Sequence, residues 1–374
     1  MDNILLSSAL AFIITFFAIP VIIQVAKDKK LFDEPDERKV HKAVIPTLGG
    51  LGIFAGFIIA TLMGVPAGIS SELQYFAAAA IVVFFLGIKD DILVLSASKK
   101  FIGQLIAAGI LIKFGGVSLN NMHGLLGVYE IPHIASLALS LFTIIVITNS
   151  FNLIDGVDGL AGSLGFVTTI VFGSYFFYIG ELTYAVMAFA LAGSLISFLI
   201  YNFSPAKIFM GDTGSLLLGL VNSILVIKFI NLASSPAVSF PIEAAPAVGF
   251  SILMIPLFDT LRVFGLRIFD RRSPFSPDRT HIHHFLLDLG FSHKKITLTI
   301  VFANIIFIVT AFGLRSLGTT TVMGILLAIA VSSIGIIYFM RQKTKAIVVC
   351  KSSEKELIKS HKILTLVSDT VEVD

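Results

Sequence analysis

The sequence predicts an all-α polytopic membrane protein of about 11 transmembrane helices, with its N-terminus outside and its C-terminus cytoplasmic. Three observations carry this expectation. Hydrophobic residues make up 56% of the 374 residues and charged residues only 14%, against roughly 25% charged in a soluble domain. The apolar content falls into eleven stretches, many close to the roughly 20 residues that cross a bilayer as a helix. Lys and Arg are divided 24 to 3 between the two alternating sets of loops, and that bias marks the cytoplasmic side. A soluble enzyme is excluded. Cys350 is the single cysteine, which excludes an internal disulfide.

In chain order the apolar stretches are 3–26, 47–66, 74–89, 101–116, 133–150, 160–180, 182–201, 213–231, 244–264, 295–314 and 320–340. The first has no basic run before it, so it reads as a retained span and not a cleaved signal. Only Gly180, Glu181 and Leu182 part the sixth from the seventh. The loops rich in Lys and Arg are 27–46, 89–100 and 262–295, with the tail 341–362; Lys113, Lys228 and Arg315 lie toward the other side. There is no Trp, so interfacial aromatics come from the seven Tyr and 34 Phe. Residues 1–340 form the transmembrane domain and 341–374 a cytoplasmic tail. In that tail Lys345 to Cys350 reads as a short strand and Ser353 with Glu356 as a capping box. Its basic residues suit anionic headgroups, or it is a plain solvated extension.

The same alternation places four polar clusters on one side. Asn149 to Ser163 carries Asn149, Asn152 and Asp155 at steps of three, one face of a helix. Gly156 and Gly159 follow, allowing close backbone approach. Hard oxygen ligands beside glycines suit Mg²⁺ and phosphate; an ordinary polar turn is the competing reading. Asp90 and Asp91 end the third stretch. Adjacent carboxylates repel unless a cation is close, which fits a metal site, a general base, or a charged helix end solvated with Lys89, Lys99 and Lys100. Gly211 and Gly214 flank Asp212 at the mouth of the eighth stretch. Phe209 before them reads first as an interfacial anchor and second as a platform for a planar base. His281, His283 and His284 share a loop with Arg271, Arg272 and Arg279, a cationic surface for phosphate oxygens. Zinc is the alternative there, but no Cys accompanies the His. Asp259 and Arg262, at i and i+3, read as a structural ion pair. The mixed-charge loop Asp33 to Lys42, followed by Ile45 to Gly50, could close over a polar substrate or be merely solvated.

Together these motifs resemble the polyprenyl-phosphate N-acetylhexosamine-1-phosphate transferases, the branch that starts O-antigen, enterobacterial common antigen and teichoic-acid linkage synthesis. The likeness covers roughly residues 1–340. It rests on Arg38-Lys39-Val40-His41, on Asp90-Asp91 with Lys100 and Gln104, on 149–162, on Phe209 to Ser215 and on His281 to His284. The resemblance implies that 1–340 is catalytic and transfers sugar-1-phosphate from a UDP-N-acetylhexosamine, GlcNAc by default, to a polyprenyl phosphate, releasing UMP. It implies Mg²⁺, with Mn²⁺ as a substitute, held by Asp212 and Asn152. It makes Asp90, Asp91 and Asp212 catalytic, with Asp90 the carboxylate assigned as base toward the lipid phosphate and Asp91 beside it. Lys100 would meet the diphosphate, Phe209 would stack on uracil and Asp158 would meet its polar edge. Asn149, Asp155, Arg279 and the three His complete the substrate-binding set. The setting implied is the cytoplasmic face of a bacterial inner membrane. No nucleic acid is expected as a partner, and a second copy of the chain is a candidate one.

Two departures are informative. Ile45-Pro46-Thr47 stands where many relatives carry Arg. His-Ile-His-His replaces the three consecutive His of the phospho-MurNAc-pentapeptide transferases, which favours a UDP-N-acetylhexosamine donor over the peptidoglycan precursor. That peptidoglycan enzyme is the nearest rival reading. A cation-coupled transporter is the rival from another class, but transporters show internal repeats and midplane sites; here no repeat is visible and the polar clusters sit at helix ends. A non-catalytic lipid-binding scaffold would need Asp90, Asp91 or Asp212 to be dispensable.

Overall fold

The computed structural model describes residues 2–29, 45–66, 68, 70–272 and 280–341. The Arg38-to-His41 motif, Arg279 and the tail, with its expected strand and capping box, lie outside the described residues. In order the elements are α1 (Asp2–Asp28), α2 (Gly49–Gly64), α3 (Leu73–Leu93), α4 (Ala97–Lys113), β1 (Asn121–Leu125) and β2 (Val128–Glu130). There follow α5 (His133–Ile154), α6 (Leu160–Tyr178), α7 (Leu182–Asn202), α8 (Gly211–Ala233), α9 (Ala245–Ile252) and α10 (Met254–Phe269). The chain continues through α11 (Ile282–Asp288) and α12 (His293–Gly313) to α13 (Thr319–Arg341).

Every expected apolar stretch is helical, but the helices are not eleven equal spans. Among the described residues seven, namely α1, α5, α6, α7, α8, α12 and α13, are long and apolar enough to cross a membrane, and α9 with α10 makes an eighth if the pair is one span. The ninth stretch was expected as a single segment; instead it bends by 86° between α9 and α10. Pro256 sits in the first turn of α10, where a missing N–H costs little. Asn304 of α12 then satisfies the backbone freed at the bend: its Oδ1 accepts from Ile255 N–H (3.1 Å) and its Nδ2 donates to Ile252 O (3.0 Å). Interior backbone needs such partners where water is absent. The bend turns α10 so that it contributes to the polar site described below.

A small antiparallel hairpin, with Asn121 opposite Glu130 and Leu125 opposite Val128, qualifies the all-α expectation. Leu126 and Gly127 both have positive φ (52° and 79°), the requirement of the tightest hairpin turn. Leu-Gly is not a recognisable turn pair in sequence. Thr320 Oγ1 of α13 accepts the Leu126 N–H at 2.7 Å and so holds the turn from outside.

The bundle is organised around α8, 89% buried over its most apolar window against 17% for α13. It packs against α2, α3, α5, α6 and α9. After the first turn its sequence is mostly apolar all round, with Asn222, Ser223, Lys228 and Asn231 as the polar exceptions, as suits a helix enclosed by protein. Small residues bring the neighbours in. A Cβ on Gly219 would lie 2.5 Å from the Thr148 Cα of α5, and such contacts are how helices associate without a hydrophobic drive. Gly50 of α2 and Gly87 of α3 meet the backbone of α8 at Gly214 and Thr213. The entry to α2 also pairs with the entry to α8. Phe209 N–H donates to Pro46 O (2.7 Å), while Gly49 and Gly50 N–H donate to Phe209 O (2.9 Å) and Met210 O (2.8 Å). These bonds satisfy orphan donors of the first turn of α2. Toward the other end of α8, Lys228 pairs with Glu72 at 2.7 Å.

Candidate active site

Four helix ends converge on one another: the C-terminal ends of α3 and α5 and the N-terminal ends of α4 and α8. Each brings polar side chains that its apolar body would not tolerate mid-span. The first turn of α8 leaves N–H groups unpaired, and Asp91 of α3 takes them. Its Oδ1 accepts from Asp212 N–H (2.7 Å), and its Oδ2 accepts from Thr213 N–H (3.0 Å) and the Thr213 hydroxyl (2.6 Å). Asp91 is thus a helix cap supplied by another helix, and it fixes where Asp212 stands. Asp91→Ala is expected to lose about 1 kcal/mol of stability, measured by thermal unfolding in detergent. An unchanged melting temperature would remove the capping role.

Asp212 and Asp90 face each other across one cation. Lys100 Nζ lies 2.5 Å from Asp90 Oδ2 and 2.6 Å from Asp212 Oδ2. Asp90 Oδ1 is occupied by Leu95 N–H. Asp212 Oδ1 accepts from Asn152 Nδ2 (2.9 Å), which also reaches Ser215 Oγ (3.0 Å). Four residues far apart in sequence therefore form one network, and Lys100 offsets the carboxylate repulsion.

Beside this network lies a cavity of about 420 Å³. Lys100, Asn149, Asn152, Asp155, His281, His283 and His284 line it, all of them residues marked in the sequence. Asn149 Nδ2 donates to Gln104 Oε1 (2.8 Å) and to Ile145 O (2.8 Å), which fixes its amide. Burial pushes the Asp155 carboxyl up to about 8, with the charges of Asp212, Asp91 and Asp158 adding to the rise. Burial, then the neighbouring His284, pushes His283 down to about 3, so its ring is neutral. Asp90 and Asp212 are not in the lining themselves; they stand behind it, in contact with Lys100 and Asn152.

Three marked residues stand elsewhere. Asp158 is buried and turned from the cavity: its Oδ1 lies 3.1 Å from His293 Nδ1, and its Oδ2 accepts from Ala206 N–H (3.2 Å). It fastens the α5–α6 turn to α12. Phe209 is half-buried and not part of the cavity lining. Arg279 lies outside the described residues.

Two polar wall residues were not marked as site residues. Gln104 was visible only as part of a motif. Arg267, 2% exposed, lines the cavity from α10. Its signal was periodicity: Asp259, Val263 and Arg267 recur at steps of four and are all buried, one face of a helix. Asp259 also exceeds its expected part. It pairs with Arg262 (2.7 Å), but it also holds His281 Nδ1 (2.9 Å) and accepts from Ile282 N–H (3.1 Å) at the start of α11.

A bundle of membrane-length helices with carboxylates, amides and cations gathered at helix ends around one cavity defines a polytopic membrane protein with a polar ligand site. The chain belongs to glycosyl transferase family 4. The family profile of that description matches residues 73–230. The chain is 34% identical over 328 residues to a protein of Bacillus subtilis (strain 168) described as a "probable undecaprenyl-phosphate N-acetylglucosaminyl 1-phosphate transferase", covering 84% of this chain and 87% of that one. It is 33% identical to the decaprenyl-phosphate N-acetylglucosaminephosphotransferase of Mycobacterium leprae (strain TN), covering 78% of each. It is 30% identical to the undecaprenyl-phosphate alpha-N-acetylglucosaminyl 1-phosphate transferase of Escherichia coli (strain K12), covering 75% of each.

Proposed function

We propose that this protein transfers N-acetylglucosamine-1-phosphate from UDP-GlcNAc to a polyprenyl phosphate at the cytoplasmic face of a bacterial inner membrane. UMP is released and an envelope glycan is started. The observation that carries this reading is the Lys100 ammonium clasped between Asp90 and Asp212 at the wall of a cavity that is also lined by Arg267. A reaction between two phosphates needs positive charge where they meet, and helix ends near the membrane surface let a lipid headgroup and a soluble nucleotide arrive together.

In the reaction an oxygen of the lipid phosphate attacks the phosphorus that bears the sugar. The bond from that phosphorus to the bridging oxygen breaks, and UMP departs with the electron pair. Lys100 and Arg267 offset the gathering negative charge. A lipid phosphate needs little deprotonation near neutral pH, so holding the two groups in line matters more than a base. Asp90 fits that task, since Leu95 N–H and Lys100 occupy its two oxygens and it orients Lys100.

Asp212 and Asn152 would hold Mg²⁺. The donor set fits: two carboxylates already share one positive charge, an amide adjoins them, and hard oxygens with phosphate completing the shell are what Mg²⁺ prefers. Among the described residues no group of three or more His, Cys, Asp or Glu is placed to hold a metal ion, so the proposed site rests on Asp212 and Asn152 and would need further ligands from substrate or water. Held there, the ion would supply charge neutralisation for the phosphates.

The test uses purified protein, undecaprenyl phosphate, Mg²⁺ and a panel of UDP-sugars, with UMP release as the readout. Release with UDP-GlcNAc, abolished by EDTA and by omission of the lipid, is expected. Release with the peptidoglycan precursor alone, or with no donor, would overturn the reading.

A further inference from the structure

The turn from α3 to α4 joins two of the helix ends that build the polar site, yet its tip is apolar. Ile92, Leu93 and Val94 follow directly on Asp90 and Asp91, and all three are exposed, Val94 by 85%. Val94 has a φ of 43°, a conformation that β-branched residues rarely adopt. The turn is nevertheless tied down, since Val94 N–H donates to Asp90 O (3.0 Å) and Leu95 N–H donates to the Asp90 carboxylate. Strain kept in a tied turn points to a task for the side chain it displays. The surroundings show what covers the tip. An exposed apolar stripe of α3, Ile81 and Phe85, reaches Ile92 at helical spacing, and Ile102 and Ile106 continue it on α4. Lys89 and Lys99 are exposed on either side of the turn. Apolar residues edged by Lys suit the boundary between acyl chains and anionic headgroups.

We propose that Ile92, Leu93 and Val94 form a wedge that sinks into the bilayer at the headgroup–acyl boundary and sets the depth of the site. Asp90 transmits that depth, because its carboxylate holds both Leu95 N–H at the wedge and the Lys100 ammonium at the cavity wall. A lipid phosphate then meets Lys100 at its own level, and its chain stays in the acyl layer. The tip itself is outside the cavity lining, which takes up the chain only from Leu95 onward. Its part is therefore to hold the site against the membrane and not to touch the reacting groups. The catalytic arm of the test rests on the function proposed above; the quenching arm does not.

For the quenching arm, the full chain carries Val94→Cys with Cys350→Ser, labelled with an environment-sensitive dye in vesicles of phosphatidylcholine and phosphatidylglycerol. Strong quenching is expected from a nitroxide high on the lipid acyl chain, and little from one at the chain end or from iodide in water. The catalytic arm uses Leu93→Gln with Val94→Gly in the same vesicles. This pair removes the apolar tip, while glycine takes the positive φ without strain, so thermal unfolding is expected at the wild-type temperature or above. KM for undecaprenyl phosphate should rise about 10-fold, the cost of drawing roughly two more methylenes out of the acyl layer. KM for UDP-GlcNAc and for a short, water-soluble prenyl phosphate should not move. Quenching by iodide alone would put the tip in water, and shielding from iodide and lipid alike would put a second copy of the chain over it. Either result overturns the proposal, as does an unchanged KM for the long lipid or an equal rise for the short one. A wild type that releases no UMP would instead remove the proposed function and leave the quenching result to decide the wedge.

Discussion

Asp212→Ala is expected to abolish transfer, with UMP release falling at least about 10³-fold, while the protein stays inserted and monodisperse in detergent. The size follows from what the carboxylate touches. One oxygen holds Asn152 and the other holds Lys100, so its loss frees both groups from the reacting centre at once. Removing one preorganised electrostatic contact costs about 10²–10³ in turnover; Asp212 anchors two, and it is also the expected Mg²⁺ ligand. The fold should survive because the rest of α8 is mostly apolar and enclosed, with Gly219 against α5 and Gly214 against α2. Asp212→Asn separates charge from shape. It keeps the side chain's size and an acceptor for Asn152, so an inactive Asn variant assigns the role to the charge. Full activity in Asp212→Ala would overturn the site.

Several parts of this arrangement could be read from the sequence for definite physical reasons. Helices show as apolar runs, and a bilayer-length run is hard to mistake, so each expected stretch is found as helix. The functional pieces stood out because Asp, Asn, Lys and His are costly beside such runs. What the sequence could not show was pairing. Asp90 and Asp91 are neighbours with the same side chain, yet one meets Lys100 and the other caps α8, because adjacent helix residues point about 100° apart. The 86° bend after Ile252 depends on Asn304, about fifty residues on. Asp158 resembles Asp155 in spacing and charge, but it faces His293 on α12 and not the cavity. Arg267 was hidden for the opposite reason: an Arg in a basic loop looks solvated until the bend carries it inward.

Lys100→Met should show two separable losses. The side chain is 28% exposed, and it neutralises Asp90, 9% exposed, and Asp212, 23% exposed. Without it two carboxylates face each other with no cation between them. Breaking a fully buried pair costs roughly 3–5 kcal/mol; partial exposure here makes the expected destabilisation smaller, about 1–2 kcal/mol, read as a lower melting temperature. Turnover should fall about 10²- to 10³-fold, the usual price of losing one charge aimed at a transferring phosphoryl group. Adding Asp90→Asn to Lys100→Met removes one of the two opposed charges, so the melting temperature should recover, the non-additivity expected of residues in direct contact. Activity should not recover, because stability needs only that the two carboxylates no longer repel each other, whereas transfer needs a cation at that place. A double variant that regained both would make Lys100 a structural counter-ion and leave Arg267 as the cation facing the diphosphate.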